Sequence, residues 1–181
     1  MSTRWPVAAK RSGHAADDDA GMQTRYVDGI TIRPLRNGDT ATVTAVFERL
    51  GARSREQRFC GAKPRLSEAE LRVLSRVDGR SHVLVAYVDA DPAPVGIARL
   101  VRDGASAEVA FEVVDGYQGR GIGSVLAGEL AAVARAAGIR ELRATVCGDN
   151  PPAISLLRRL ASPLHVTWRG RERELVVALE R

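Results

Sequence analysis

The stretch "DGYQGRGIGS", residues 115–124, places four glycines and one arginine within ten residues. An apolar stretch, 109–114, precedes it, and apolar residues at helical spacing follow it. Glycine costs conformational entropy wherever the chain is ordered, and a simple tight turn needs only one. Glycines at 119, 121 and 123 favour a phosphate cradle instead, because the first N–H groups of a helix have no intrahelical partner and glycine lets a phosphate approach them. Arg120 adds a full positive charge.

Two common phosphate-binding motifs fit this stretch poorly. A kinase-type P-loop requires a Gly-Lys pair, and the chain has none. A dinucleotide fingerprint requires G-x-G-x-x-G, but Ser124 stands in the third glycine position. Asp149 is its only candidate ribose-binding acid. The dinucleotide alternative is therefore weak, although the sequence leaves it open.

Composition limits the class of protein. The chain has 181 residues, 45% of them hydrophobic, which suits a single domain with a substantial core. No apolar run reaches membrane-spanning length and the start has no signal-peptide core, so we expect a soluble, cytoplasmic protein with no membrane partner. The net charge is +5, but the arginines are scattered among acids and aromatic residues make up only 4%, which disfavours nucleic-acid binding. Cys60 and Cys147 fit no metal-ligand spacing, so we expect reduced thiols and no metal.

The order of elements predicts a mixed α/β sheet. "GITIRPL" begins a domain that we place at 28–181, after an N-terminal tail or extension at 1–27. Asn37 or Asp39 can cap a first helix, and Ser67 with Glu70 has capping-box spacing for a second. Three strands follow, with turns at "DADPAP" and "DGAS", and form an antiparallel meander. A helix ending at Gly138 then leads to a strand expected to be parallel to the one before the glycines.

A last helix and a hairpin complete the predicted order, β-α-α-β-β-β-α-β-α-β-β. Asn150 caps the helix "PPAISLLRRLA", whose prolines fall in the first turn, where they are tolerated. Gly170 lies at the turn of the closing hairpin. The fold class is therefore a central sheet with antiparallel and parallel parts, flanked by helices.

The glycine stretch also resembles a known signature. Gln118-Gly119-Arg120-Gly121-Ile122-Gly123 is similar to the Q/R-x-x-G-x-G/A motif of the GNAT superfamily of acyl-CoA N-acyltransferases, and it lies between the strand and helix where that family has it. The resemblance implies a GNAT fold and acetyl-CoA as co-substrate. It implies that backbone amides around 119–123, with Ser124, hold the pyrophosphate, that pantetheine lies along Val113 and Val114, and that Asn150 contacts the cofactor.

A closer resemblance is to the acetyltransferase domain of bacterial Pat-type protein lysine acetyltransferases. Segments that carry it include "ITIRPLRNGD", "FERLGARSREQRF", "AEVAFEV" and "GDNPPAISLLRRLA". It implies that a protein lysine is the acceptor and that attack occurs directly within a ternary complex. A small-molecule amine as acceptor, or a non-catalytic acyl-CoA sensor, remain the alternatives. The sequence makes no prediction of oligomeric state.

Acyl transfer to an amine also needs a base, since lysine is almost entirely protonated at neutral pH. Period-two alternation places Glu108, Ala110 and Glu112 on one face of their strand. The resemblance assigns the general base to Glu108, with Glu112 as second candidate; otherwise both are ordinary surface or ion-paired residues. Many GNAT enzymes protonate the departing thiolate with a tyrosine, and here Leu157 occupies that position.

Overall fold

A computed structural model describes residues 17–18, 22–161 and 163–179 of the chain. The strands are β1 (Asp17–Asp18), β2 (Met22–Gln23), β3 (Arg25–Val27), β4 (Ile30–Pro34), β5 (Ser81–Val88), β6 (Asp91–Asp103), β7 (Ser106–Val113), β8 (Glu141–Cys147), β9 (Leu164–Arg169) and β10 (Glu172–Ala178). The helices are α1 (Thr40–Glu48), α2 (Ala52–Phe59), α3 (Glu68–Leu74), α4 (Ile122–Ala136) and α5 (Pro151–Leu160), with a 3-10 turn at Asp115–Tyr117.

Eight strands form one mixed sheet in the order β3-β4-β5-β6-β7-β8-β10-β9, beside a small β1-β2 pair. Strands β5, β6 and β7 are antiparallel neighbours, β7 and β8 are parallel, and β10 pairs antiparallel with both β8 and β9. The predicted fold class, meander, parallel crossover and closing hairpin are therefore confirmed. The parallel pairing ends at Glu108 and Arg143, and the two strands separate beyond that point.

The helix starts follow from local hydrogen bonds. Asp39 caps α1 by accepting from the Thr42 N–H at 3.0 Å, whereas Asn37 accepts from Val77. Ser67 and Glu70 form the expected capping box of α3. Asn150 caps α5 by accepting from the Ala153 N–H at 3.1 Å. These caps supply acceptors for amides that the helices leave unpaired.

Helices cover the two faces of the sheet with separate apolar clusters. On one face, α4 and α5 contribute Leu126, Leu130 and Leu157 to a core shared with strands β4 to β8 and β10. On the other face, α1 packs Val43 and Val46 against the inner strands. Gly96 of β6 lets α4 lie very close to the sheet, since an added Cβ would stand 3.1 Å from Leu126 and 3.2 Å from the Glu112 carbonyl oxygen.

The structure differs from the predicted order in three ways. The short strands β1, β2 and β3 precede the first predicted strand, β4. Helix α2 was not predicted, because none of its residues is buried and it therefore has no apolar stripe. The "DADPAP" turn is shorter than expected, since Pro92 and Pro94 lie within β6. They precede the residues where β6 pairs with β7, so their missing N–H groups cost no ladder hydrogen bond there.

The expectation of reduced cysteines was wrong, since Cys60 and Cys147 form a disulfide. They are 87 residues apart in sequence, but α2 ends beside the end of β8 and brings their Cα atoms to 5.3 Å. That separation is ordinary for a disulfide. The Glu172 carboxylate lies beside the pair, with its ligand atom within 4.8 Å of both sulfurs.

The division into a tail at 1–27 and a domain at 28–181 stays a prediction. Strand β3 lies at this border and pairs with β4, while 1–16 and 19–21 lie outside the described residues. Within the part of the chain that the structure describes, no helix is both long enough and apolar enough to cross a membrane.

Candidate functional site

A cleft opens where β7 and β8 separate. Its volume is about 540 Å³, and its walls are residues 109–113 of β7, residues 144–146 of β8, one side of α5 and part of α2. Beyond Glu108 the side of β7 that faces β8 has no strand partner. Backbone groups of β7 are thereby available to an extended ligand, as at the edge of a sheet.

The glycine turn forms one end of this cleft. Gly119 and Gly121 have φ values of +74° and +85°, which side-chain-bearing residues rarely adopt, and Gly121 is the N-cap of α4. A Cβ added at either glycine would meet nothing within 4 Å, so the space before the helix N-terminus is open. The Gln118 side chain fixes the turn by donating to the Val113 carbonyl oxygen at 3.0 Å and to the Ser54 hydroxyl at 3.2 Å.

Two arginines lie near the N-terminus of α4. Arg159 of α5 lines the cleft and donates to the Ser124 hydroxyl at 3.4 Å. Arg120 is exposed, with its guanidinium 5.0 Å from the centre of the Tyr117 ring. Together with the unpaired helix amides, these charges suit an anionic group at this end. Arg159 was missed from sequence, although it shares a helical face with the lining residues Pro152, Ser155 and Leu156.

The part of the cleft wall formed by β7 and α2 carries a buried charge cluster. The Glu112 side chain is only 7% exposed and accepts from Arg58 Nε at 2.8 Å. Behind it, Arg99 of β6 donates to the Leu74 carbonyl oxygen. Burial lowers the pKa of Arg99 to about 10, against the opposing effect of Glu112, and Arg58 lowers it further. Glu112 thus balances two guanidinium groups in a partly dry environment.

Glu108 lies at the last paired position before the strands separate. It is exposed, and its neighbour across the parallel pair is Arg143. Among the described residues, no hydrogen bond or ion pair engages its carboxylate. The predicted alternation is confirmed, since Val109 on the opposite face is buried in the core while Glu112 meets Arg58 of α2.

Helix α2 lies along one wall of the cleft and contributes Ser54, Gln57 and Arg58 to its lining. The amide of Gly51, its N-cap, donates to Asp115 at 3.2 Å. Shortly before the helix, Arg49 binds Asp91, and Tyr117 also donates to Asp91 at 2.8 Å. Hydrogen bonds from the Ala93 amide, Tyr117 and Arg49 lower the pKa of Asp91. The hydroxyl of this cleft tyrosine is therefore already engaged.

The structure brings most of the predicted site residues to the cleft. Those that line it are Glu112, Val113, Gln118, Gly119, Gly121, Gly123, Ser124 and Asn150. Val114 and Ile122 belong to the core instead, and the Val114 N–H donates to Val95. Arg120 and Glu108 are not among the lining residues; Arg120 lies in the glycine turn, and Glu108 lies where β7 and β8 still pair. Asn150 uses its side-chain oxygen to cap α5, and Leu157 is buried at 1% exposure.

Comparison with known proteins agrees with this arrangement. A family model for the acetyltransferase (GNAT) family matches residues 47–161. Acetyltransferase Pat of Mycolicibacterium smegmatis is 32% identical over 145 residues, covering 78% of this chain but only 43% of the relative. An acetyltransferase of Pseudomonas aeruginosa is 31% identical over 142 residues, covering 75% of this chain and 76% of the relative.

A solved structure shares the fold. The GNAT domain of S. lividans PAT has a TM-score of 0.75 at 28% identity, covering 83% of this chain and 90% of that domain. The predicted resemblance to GNAT and Pat-type enzymes, and the prediction of an acetyltransferase, are confirmed. The family match covers more than half of the chain, and this chain belongs to the acetyltransferase (GNAT) family.

Proposed function

We propose that this protein transfers the acetyl group of acetyl-CoA to a lysine side chain of a protein, with Glu108 as general base. The observation that carries the proposal is the cleft between β7 and β8, which has an anion-binding turn at one end, Glu112 in its lining, and Glu108 just beyond its other end, where the two strands begin to pair. Such a cleft holds a long ligand with a charged head and a reactive tail. The bound state is a ternary complex of cofactor, acceptor and enzyme.

The glycine turn would hold the pyrophosphate of coenzyme A. The first described intrahelical bond of α4 runs from the Val125 N–H to the Gly121 carbonyl, so the amides before it are free for phosphate oxygens. Arg159 adds charge from α5. The pantetheine chain would then extend along the unpaired side of β7 past Val113, with the thioester toward the point where the strands meet.

Glu108 is better suited than Glu112 to take the proton of the acceptor amine. Its carboxylate is exposed and lies where the strands begin to separate. The Glu112 side chain is buried and already accepts a hydrogen bond from Arg58, so an incoming amine has less access to it. In the reaction, the amine nitrogen bonds to the carbonyl carbon, the carbon–sulfur bond breaks, and the proton leaves through Glu108 while coenzyme A departs as a thiolate.

The surroundings of Glu108 favour a large acceptor. Beside it, the face of the sheet formed by β8, β10 and β9 presents the exposed residues Arg143, Thr145, Thr167 and Arg169. These four lie on one face, because paired residues of neighbouring strands point the same way. An open sheet face accommodates a folded protein more readily than it encloses a small amine. The resemblance to Pat-type protein lysine acetyltransferases supports the same acceptor class.

Two measurements test the proposal. Acetyl-CoA should raise the melting temperature by mass action, and NAD or ATP should do so far less. Gly121→Glu should abolish this shift, because it places a charge before the helix and forces a side chain into a positive φ. Gly116→Glu is the matched control, since Gly116 lies outside the cleft lining with open space around it.

Turnover then identifies the acceptor. Thiol release from acetyl-CoA should be faster with lysine-containing proteins than with small amines. A preference for small amines would show that the acceptor is a small molecule and not a protein. Binding of acetyl-CoA without any turnover would indicate an acyl-CoA sensor. Equal stabilisation by NAD would support the dinucleotide-binding alternative.

A further inference from the structure

The disulfide joins two elements that form walls of the cleft. Cys60 directly follows α2, and Cys147 is the last residue of β8. Helix α2 lines one wall with Ser54, Gln57 and Arg58, while β8 forms the facing wall. The bond between the sulfurs is therefore a covalent link across the side of the cleft where Glu112 lies.

Apart from this link, α2 is held mainly by polar and aromatic contacts. None of its residues is buried. Arg58 pairs with Glu112, Gln118 donates to Ser54, and Gln57 reaches the Asp149 carbonyl oxygen at 3.4 Å. Phe59 packs edge-on against Phe47 at 5.7 Å between ring centres. An element with few buried apolar contacts opens at low free-energy cost, so a covalent tie has a large effect on its position.

The pair is also accessible to thiol reagents. Cys60 is exposed and Cys147 is half-buried. Exchange requires an attacking thiolate to reach one sulfur of a disulfide, and Cys60 meets this condition.

We propose that Cys60 and Cys147 are a reversible redox modification site: the disulfide holds α2 over the acceptor side of the cleft, and reduction releases it. A thiolate from a low-molecular-weight thiol RSH bonds to the Cys60 sulfur, the Cys60–Cys147 bond breaks, and Cys147 leaves as a thiolate that takes a proton. A second RS⁻ then attacks the mixed disulfide, giving RSSR and the Cys60 thiol. Oxidation is the reverse reaction with RSSR.

This inference rests on the proposed function for its effect on turnover, but not for its effect on α2. Coenzyme A, the product of the proposed reaction, is itself a thiol of the required class. Release of α2 should widen access for a bulky acceptor near Glu108 and Glu112. It should leave the glycine turn in place even when the Gln118–Ser54 contact is lost, because Gln118 also donates to the Val113 carbonyl oxygen of β7 and Gly121 is the N-cap of α4.

The test compares full-length protein treated with oxidised glutathione and with dithiothreitol, the state of each being verified by thiol alkylation and mass measurement. Hydrogen exchange in 52–60 should be at least about tenfold faster in the reduced protein, with exchange in 122–136 unchanged. With a lysine peptide, KM should fall several-fold on reduction, while acetyl-CoA affinity changes less than twofold. Cys60→Ser and Cys147→Ser should each match the reduced protein in both buffers.

Each failure has a distinct meaning. If α2 exchanges equally in both states, or if both cysteines stay alkylatable after oxidation, the redox inference is wrong. A higher KM in the reduced protein would also overturn it. Absence of any acetyl-CoA effect in either state would instead contradict the proposed function, and the hydrogen-exchange comparison would still decide whether the link controls α2.

Discussion

Two glutamates on one strand have different surroundings, and this difference separates their roles. Glu108→Gln preserves side-chain shape but removes the proposed base, so we expect kcat to fall by about 10²- to 10⁴-fold with acetyl-CoA affinity nearly unchanged. Glu112→Gln should reduce kcat less, and should loosen α2 because it breaks the ion pair with Arg58.

Steady-state kinetics with both substrates varied checks this prediction. Folding is monitored by melting temperature. If Glu112→Gln loses activity while Glu108→Gln retains it, the base is on the other residue. If neither substitution matters, the acceptor loses its proton without either carboxylate.

A half-buried histidine gives the protein a predictable response to acid. Burial lowers the pKa of His82 in the folded state below its usual 6.5. The unfolded chain therefore binds a proton more readily, and stability due to this group is complete above about pH 6.5 and declines as pH falls below it. We expect His82→Gln to flatten the pH dependence of the unfolding free energy between pH 7 and 5, measured by urea denaturation. The exposed His165→Gln is the matched control, and an equal flattening there would contradict the explanation.

At the scale of the element, α3 offers a matched pair of serines. The Ser67 hydroxyl accepts from the Glu70 amide, and Glu70 binds back to the Ser67 amide at 2.8 Å. Ser67→Ala should cost about 1 kcal/mol of stability, because a helix N-terminal amide loses its acceptor. Ser75 is 1% exposed at the other end of the helix, and its hydroxyl has no partner among the described residues.

Ser75→Ala should therefore be neutral or stabilising, since it removes an unpaired buried polar group. Chemical denaturation of both variants checks the pair. A larger loss for Ser75→Ala than for Ser67→Ala would show that the buried hydroxyl has a bonding role.

The sequence predicts elements well where local signals and tertiary packing agree. Capping residues at Asp39, Ser67 and Asn150 and turn residues at Gly138 and Gly170 have local physical causes, so they are readable. Helix α2 has no such signal, because its contacts with α1, β7, β8 and Gln118 define it. The approach of Cys60 to Cys147 is likewise a property of the assembled sheet, and no spacing rule connects residues 87 positions apart.

The residues of the candidate site likewise fall into those that the sequence predicts and those that only the packed structure identifies. The glycine turn and the alternation of Glu108 and Glu112 follow from period and residue type. The Arg58–Glu112 pair, the cleft-lining Arg159 and the burial of Val114 depend on how the elements pack against one another. Val114 shows the limit most clearly, because its neighbour Val113 lines the cleft while its own side chain points into the opposite core.

For the whole molecule, the disulfide should be a major source of stability. Closing a loop of 87 residues restricts the unfolded chain, and the entropy estimate for that length is about 4–5 kcal/mol as an upper value. We expect urea unfolding of the reduced protein to occur at a clearly lower midpoint than that of the oxidised protein. Cys60→Ser should show the lower midpoint in both redox buffers, and equal midpoints for the oxidised and reduced wild-type protein would contradict this expectation.

Because Gly96 has no side chain, substitutions at this position should affect cofactor binding from a distance. This glycine lies on β6, and its position touches α4 through Leu126 and Ile122. A methyl group there would crowd Leu126, Ile122 and the Glu112 carbonyl oxygen by a few tenths of an ångström, and we expect the start of α4 to shift from the sheet, with the turn at Gly119 and Gly121. A saturation library selected for loss of cofactor binding should therefore return Gly96 alongside residues of the turn itself, although Gly96 lies outside the cleft lining. Second-site substitutions that suppress Gly96→Ala should replace Leu126 or Ile122 with a smaller residue, because this would restore the space between β6 and α4.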